Sequence, residues 1–220
     1  MPTRIDICGL LRRLNLREPA AQLGLFGLIG IGVVSLVYYA GKERILANQQ
    51  LAFFNSVISL VPAREFDNDV LSDSFRFVDP RLSGGAPVTV FRARRQGQAV
   101  AAAFATAAPD GYSGDIRLLI AVRANGTLAG VRVLEHHETP GLGDRIEGDK
   151  SDWIEGFAGQ SLNSPPESSW QIRRDGGAFD QFTGATITPR AVVTQVRETL
   201  RVFRDRQREL FEKDAGSGPP

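Results

Sequence analysis

The sequence predicts an α+β fold that follows a single N-terminal transmembrane helix, and three observations support this prediction. Residues 19–41 carry no charged side chain, residues 74–135 contain five short runs typical of strands, and a long amphipathic helix begins near residue 188. Because the strands follow one another without intervening helices, their order favours α+β over a parallel α/β sheet.

The first element is an uncharged run of 23 residues between Glu18 and Lys42. As a helix it is about 35 Å long at ~1.5 Å per residue, enough to cross a hydrocarbon core of ~30 Å. A cleaved signal peptide and a buried core helix are the alternatives. The run is long for the apolar core of a signal peptide and no small-x-small cleavage site follows it, so the pattern favours a transmembrane helix.

The flanking charges predict the orientation of this helix. Four basic residues precede it, namely Arg4, Arg12, Arg13 and Arg17, and only Lys42 and Arg44 follow at close range. Because basic residues concentrate on the cytoplasmic side of a membrane, the N-terminus is predicted to be cytoplasmic. The predicted organisation is a cytoplasmic segment 1–18, a transmembrane helix 19–41, an extracytoplasmic domain 42–214 and a flexible tail 215–220.

The extracytoplasmic domain begins with a helical rhythm of apolar residues that ends at Pro62. The predicted strands are Ser74–Asp79, Val88–Arg94, Ala99–Ala107, Ile116–Arg123 and Leu128–Glu135. Asn125-Gly126, between the last two, is a strong hairpin signal. In the final helix, Thr188 is the predicted N-cap and Pro189 suits the first helical position.

The composition excludes several kinds of chemistry. The 220 residues are 42% hydrophobic with a net charge of +1, which gives no electrostatic reason to expect a nucleic-acid partner. Cys8 is the only cysteine, so a redox CxxC pair and a cysteine-ligated iron–sulfur cluster are excluded. The two histidines, His136 and His137, are adjacent and would face opposite sides of a strand, so no metal site is predicted. Redox chemistry would need an imported group.

The first motif that could bind such a group is Asp180–Thr188, which runs into the predicted helix. It offers hydroxyls at Thr183, Thr186 and Thr188, and its Gly184-Ala185 pair permits close approach of another molecule to the backbone. A helix N-terminus favours a phosphate because its free N–H groups and dipole attract negative charge. The alternative from the residues alone is a glycine turn followed by a helix cap. The motif is not a P-loop, because it lacks Gly-Lys-Ser/Thr.

A second motif, His136–Asp144, directly follows a predicted strand. Pro140-Gly141 favours a tight turn, and the neighbouring glycines expose backbone groups that can hold the edge of a planar polar ring. The alternative is a plain connection with solvated histidines. Gly111–Gly114 is a weaker third feature, a turn that presents the amphipathic ring of Tyr112.

These residues resemble a known family. Asp180-x-x-Thr183-Gly184-Ala185-Thr186 matches the Dxx(S/T)GAT signature of proteins with covalently attached FMN, and His136-x-Glu138-Thr139-Pro140-Gly141-Leu142-Gly143 is similar to their HxETPGLG segment. Gly111-Tyr112-Ser113-Gly114 resembles their GYxG turn. With one membrane helix, the whole chain resembles the G subunit of the Rnf/Rsx ion-translocating electron transport complex. The C subunit of the sodium-translocating NADH:quinone reductase is similar in domain and tether.

The resemblance implies a mixed α/β FMN-binding domain in which the FMN phosphate forms a phosphoester with the Thr186 hydroxyl, making the chain a phosphoprotein. A flavin transferase would install the group from FAD, using magnesium, and Asp180 belongs to the sequence that this enzyme reads. The other implied cofactor contacts are Thr183, Gly184, Ala185, Tyr112, Glu138, Thr139, Gly141 and Leu142.

The implied function is that of an electron-carrying subunit of a membrane-bound, ion-translocating oxidoreductase, with no catalytic residues of its own. The implied place is the bacterial inner membrane, with the main domain in the periplasm, and the implied partners are the other membrane and redox subunits of the complex. The alternative function is a flavin-free, membrane-tethered domain for assembly or sensing. The two differ at one atom, the hydroxyl oxygen of Thr186.

Overall fold

The computed structural model describes residues 19–212, and it confirms the predicted α+β class. The predicted segment 1–18 with Cys8 and the predicted tail 215–220 lie outside the described residues. Contacts within the chain divide it into two compact units, Met1–Leu51 and Ala52–Pro220.

Helix α1 runs from Pro19 to Leu60. In the first unit, its stretch Gln22–Lys42 is 21 residues long, has a mean hydropathy of 2.0 and buries none of its side chains within the protein. By length and composition this stretch can cross a membrane. The glycines within it do not interrupt the helix, which agrees with their tolerance in membrane helices.

The second unit is built on a five-stranded antiparallel sheet whose strands are neighbours in chain order. The strands are β1 Ser74–Phe77, β2 Val88–Arg95, β3 Gln98–Ala108, β4 Ile116–Arg123 and β5 Leu128–Glu135. The sequence predicted each of these strands. Gln96 and Gly97 form the two-residue turn between β2 and β3, with positive φ angles of 51° and 77°. Gly126, at φ 84°, lies in the predicted hairpin between β4 and β5.

Helix α2 runs from Ile187 to Glu212 and begins two residues before Pro189, the predicted first helical position. The carbonyl of Thr186 accepts the Arg190 N–H at 3.3 Å, so Thr186 occupies the position that flanks the helix. The prediction that Thr188 is the N-cap is therefore wrong. Thr188 lies inside the first turn and is buried, and its hydroxyl is used elsewhere in the fold.

The sheet buries both of its faces. Side chains of β4 alternate between two hydrophobic clusters: Leu118 and Ile120 belong to the cluster that contains the apolar stripe of α2. Leu119 and Ala121 belong to the other cluster, with Val57 near the end of α1. Burial on both faces explains why β4 is an almost continuous apolar run instead of an alternating one.

Between β5 and α2 the chain has no strand or long helix and is held by aromatic side chains. Trp153 and Phe157 lie in a 3₁₀ segment, Asp152–Phe157. The Phe157 and Phe179 rings stack at 4.9 Å, and Trp170 is fully buried beside Phe179 at 4.8 Å. This cluster fixes the loop that leads into α2.

Candidate functional site

The first motif forms a tight turn directly before α2. The Ala185 N–H donates to the Phe182 carbonyl at 3.1 Å, and Gly184 has φ 83°, a conformation that favours glycine. Phe182 is buried against Trp153, with ring centroids 5.2 Å apart. The Trp153 indole N–H also donates to the Asp180 carbonyl at 2.8 Å. The aromatic cluster therefore anchors the segment that leads into this turn.

The second motif forms a turn that packs on the first. The Leu142 and Gly143 N–H groups donate to the Thr139 carbonyl at 3.2 and 3.1 Å, and Gly141 has φ 77°. The sequence predicted a tight turn here, and proline followed by a glycine of positive φ is the pattern of a type II turn. A Cβ on Gly184 would lie 3.1 Å from Leu142 Cδ2, so the two motifs are in contact.

Glu138 connects these turns to the third feature. Its side chain is buried; Oε1 accepts the Ser113 N–H at 3.0 Å, and Oε2 accepts the Thr188 hydroxyl proton. One carboxylate therefore joins the Gly111–Gly114 turn and the first turn of α2 to its own segment. The absence of a side chain at Gly143 allows Glu138 and Thr188 to approach each other, since a Cβ at position 143 would lie 2.8 Å from Thr188 Oγ1.

His136 bridges the backbone of Glu138 and the carboxylate of Glu147. The Glu138 N–H donates to His136 Nδ1 at 3.0 Å, and Nε2 lies 2.8 Å from Glu147 Oε1. Hydrogen bonds from Lys150, and secondly from His136, hold the pKa of Glu147 below its usual value. His136 is half-buried and His137 is exposed, so only the second fits the alternative of solvated histidines.

The three segments line a solvent-accessible cavity of about 760 Å³, within the roughly 300–1,000 Å³ typical of small-molecule sites. Seven of the predicted site residues line it, namely Tyr112, Glu138, Thr139, Leu142, Gly184, Ala185 and Thr186. Gly141 and Thr183 do not line it, and both are exposed. In the described residues 52–212, three of the four exposed large hydrophobic side chains, Tyr112, Leu142 and Ile187, border this cavity.

Asp180 lies outside the cavity. Its carboxylate is exposed and forms an ion pair with Arg173 at 3.0 Å. It borders a separate cavity of about 480 Å³, whose lining includes Trp153 and Phe179. The structure therefore separates Asp180 from the residues that surround the Thr186 hydroxyl.

The cavity lining also includes three charged residues that were not predicted as site residues from the sequence: Arg174, Asp175 and Arg190. Arg174 Nη1 donates to Thr186 Oγ1 at 3.4 Å. Arg190 Nε and Nη2 donate to the Asp175 carboxylate at 2.7 and 3.0 Å, and this interaction holds the pKa of Asp175 below its usual value. One signal was available: Arg190 is a cation in the first helical turn, where the helix dipole disfavours positive charge unless an anion is near.

Relatives of this chain identify the family. A protein from Pseudomonas aeruginosa, named as the G subunit of an ion-translocating oxidoreductase complex, is 46% identical over 208 residues, which cover 94% of this chain and 97% of that protein. The chain belongs to this G-subunit family. The G subunit from Shewanella loihica is 42% identical over 197 residues, covering 89% of this chain and 93% of its own. The G subunit from Vibrio cholerae is 40% identical over 198 residues, covering 90% and 95%.

A domain match covers the part of the chain that contains this cavity. The profile of the FMN-binding domain matches residues 111–201. This range starts at the Gly111–Gly114 turn, includes all residues that line the 760 Å³ cavity and ends within α2. Of the two resemblances in the sequence, family membership favours the G subunit over its counterpart in the sodium-translocating reductase.

Proposed function

We propose that this chain is an electron-carrying flavoprotein subunit of a membrane-bound, ion-translocating oxidoreductase complex, with FMN attached through its phosphate to Thr186. The observation that carries the proposal is that Thr186 lines a cavity formed by all three motif segments. FMN supplies the electron transfer that these side chains cannot perform, and the protein's part is to hold and orient it.

The cavity has an apolar border that suits the flavin ring and a positively charged end that suits the phosphate. Tyr112, Leu142 and Ile187 give its border an apolar character that matches a planar aromatic ring. Thr186, at the start of α2 beside Arg174, gives it a positively charged end that matches a phosphate. Glu138 has both carboxylate oxygens bound within the protein, so its part is to position the turns around the flavin.

Thr186 is the hydroxyl best suited to carry the phosphoester. Thr183 is exposed and does not line the cavity. Thr188 is buried and donates its proton to Glu138, so modifying it would break the junction. The exposed Asp180 carboxylate is accessible to a flavin transferase, in keeping with a role in recognition.

A gel experiment tests this assignment. The full chain and its variants are co-expressed with a flavin transferase of the family, denatured and examined for flavin fluorescence. Thr186→Val keeps the branched shape without the hydroxyl and should abolish the fluorescent band. Thr183→Ser should retain it, since the motif accepts either hydroxyl. A fluorescent Thr186→Val band would refute the assignment, and a dark wild-type band would favour the flavin-free alternative.

We further propose that residues 1–18 are cytoplasmic, that residues 19–41 span the inner membrane and that the domain 42–214 is periplasmic, followed by the tail 215–220. The support is the apolar stretch in α1 together with the excess of arginine before it. The partners would then be other membrane and redox subunits of the complex. A reporter active only after export, fused behind Pro220, should be active, and activity of a cytoplasm-only reporter there would overturn this topology.

A further inference from the structure

We propose that Arg174 is the positioning residue for the phosphate on Thr186, and that Asp175 limits this end of the cavity to one net positive charge. The inference rests on the proposed attachment of FMN to Thr186. It concerns residues outside the two sequence motifs, and it assigns the chain a preference for a linked phosphate over a free one.

Arg174 is already directed at the reacting oxygen. Its Nη1 donates to Thr186 Oγ1 at 3.4 Å, and its backbone N–H donates to Gln181 Oε1 at 3.3 Å. Among the described residues, no carboxylate forms an ion pair with Arg174 within 4.0 Å. In a phosphoester the phosphorus is bonded to this same threonine oxygen. The guanidinium therefore lies beside the new negative charge. A hydrogen bond that involves an ionised group is roughly twice as strong as one between neutral groups.

Arg190 is engaged in a different way. Two of its nitrogens donate to the two oxygens of Asp175, at 2.7 and 3.0 Å. This bidentate geometry is the preferred one between arginine and a carboxylate. Hydrogen bonding from Arg190 lowers the pKa of Asp175, so this carboxylate stays ionised at neutral pH. Asp175 therefore offsets one of the two positive charges, chiefly that of Arg190, although the charge of Arg174 also acts on it. Among the described residues, Arg174 donates no hydrogen bond to a carboxylate, so its side chain is the one available to a phosphate.

The net charge of Arg174, Arg190 and Asp175 favours a phosphate linked to threonine over the phosphate of free FMN. A phosphate joined to both threonine and flavin carries a single negative charge, whereas the terminal phosphate of free FMN carries about −1.5 to −2 at neutral pH. Arg174, Arg190 and Asp175 together carry one net positive charge, which matches the linked form. Glu138, the other carboxylate that lines the cavity, has both oxygens hydrogen-bonded, to the Ser113 N–H and the Thr188 hydroxyl. Asp175 therefore acts as a specificity-determining residue that disfavours noncovalent FMN.

The test compares thermal unfolding of the full chain in detergent, with and without attached flavin, for wild type and Arg174→Gln. If Arg174 binds the phosphate, the substitution lowers the midpoint of the flavin-loaded form by several degrees more than that of the flavin-free form. Arg208→Gln is the matched control, because Arg208 is an exposed arginine of α2 that does not line the cavity. This control should shift both forms equally.

The rate at which the transferase attaches flavin gives a second readout. Intact mass should show that Arg174→Gln is loaded at least about tenfold more slowly than wild type, as expected for loss of a hydrogen bond to a charged group. Arg174→Lys keeps the charge and should recover part of this rate. Loss of loading in both variants would show that the transferase reads the arginine itself, and would overturn the proposal. Equal shifts of loaded and unloaded Arg174→Gln would overturn it as well.

The role of Asp175 is tested separately with free FMN. In a Thr186→Val background, which cannot form the phosphoester, Asp175→Asn should bind free FMN at least about tenfold more tightly, because Arg190 is released. Unchanged affinity would refute the selectivity argument. If the wild-type chain acquires no flavin mass, the proposed function fails, whereas a loaded wild type that behaves like Arg174→Gln refutes only this inference.

Discussion

Replacing Glu138 tests whether one buried carboxylate holds the three segments of the site together. In Glu138→Ala, the buried Thr188 hydroxyl loses its acceptor, at a cost of about 1–3 kcal/mol. The Ser113 N–H also loses its acceptor, but Ser113 is exposed and water can replace it, at about 0.5–1.5 kcal/mol. The expected loss of unfolding free energy is therefore about 2–4 kcal/mol.

The assay is thermal unfolding of the flavin-free full chain in detergent, followed by circular dichroism. At roughly 2–4 °C per kcal/mol for a domain of this size, Glu138→Ala should lower the midpoint by roughly 5–15 °C. Glu138→Gln should cost less than about 1 kcal/mol, because its amide oxygen can accept from Ser113 while its NH₂ donates to a reoriented Thr188 hydroxyl. Loading with flavin should fall only in Glu138→Ala.

Glu135→Ala is the matched control. Glu135 ends β5 and pairs with Arg117 at 3.2 Å, where both side chains are more than half exposed. An exposed pair of this kind contributes little, so the variant should unfold within a few degrees of wild type. A loss of less than about 1 kcal/mol in Glu138→Ala, or equal instability of Glu138→Gln and Glu138→Ala, would refute this role of the Glu138 carboxylate.

Three further predictions concern other contacts. Gly184→Ala should lose about 1–2 kcal/mol and load poorly, since Gly184 has φ 83° and a Cβ would lie 3.1 Å from Leu142; wild-type midpoint and loading would contradict this. Leu142→Asp should leave the flavin attached but shift its absorbance or midpoint potential, and an unchanged spectrum and potential would argue against ring contact. Finally, hydrogen bonding from Arg81 lowers the pKa of the buried Asp79. Its stabilising effect is present above the ordinary aspartate pKa of 3.8 and is lost as pH falls through the lowered value. Asp79→Asn should therefore flatten the stability–pH curve in acid, and an unchanged acid limb would disprove this role.

The sequence predicted the sheet well because its signals are local. Apolar runs marked the strands, and turn residues such as Asn125-Gly126 marked their connections. Both turns of the site were also predictable, since Pro140-Gly141 and Gly184 demand particular backbone conformations. These features depend on residues within a few positions of one another, which a single sequence displays directly.

The parts that the sequence did not predict depend on contacts between distant positions. Arg174 contacts Thr186 across a loop in which Phe179 and Phe182 pack into the aromatic cluster. Thr188 looks like a helix cap in sequence, yet its hydroxyl binds Glu138, fifty positions earlier. A side chain that can make either a local or a distant hydrogen bond is ambiguous until tertiary packing decides between them.

Attachment of FMN to Thr186 is measured most directly by the mass and position of the added group on the mature chain. The full-length protein, co-expressed with its flavin transferase, is weighed intact and then digested and sequenced by tandem mass spectrometry. We expect an added mass of about 0.44 kDa, that of FMN less water, on the peptide that contains Thr186 and at that residue. The same added mass on Thr183 or Thr188, or its persistence in Thr186→Val, would contradict attachment at Thr186.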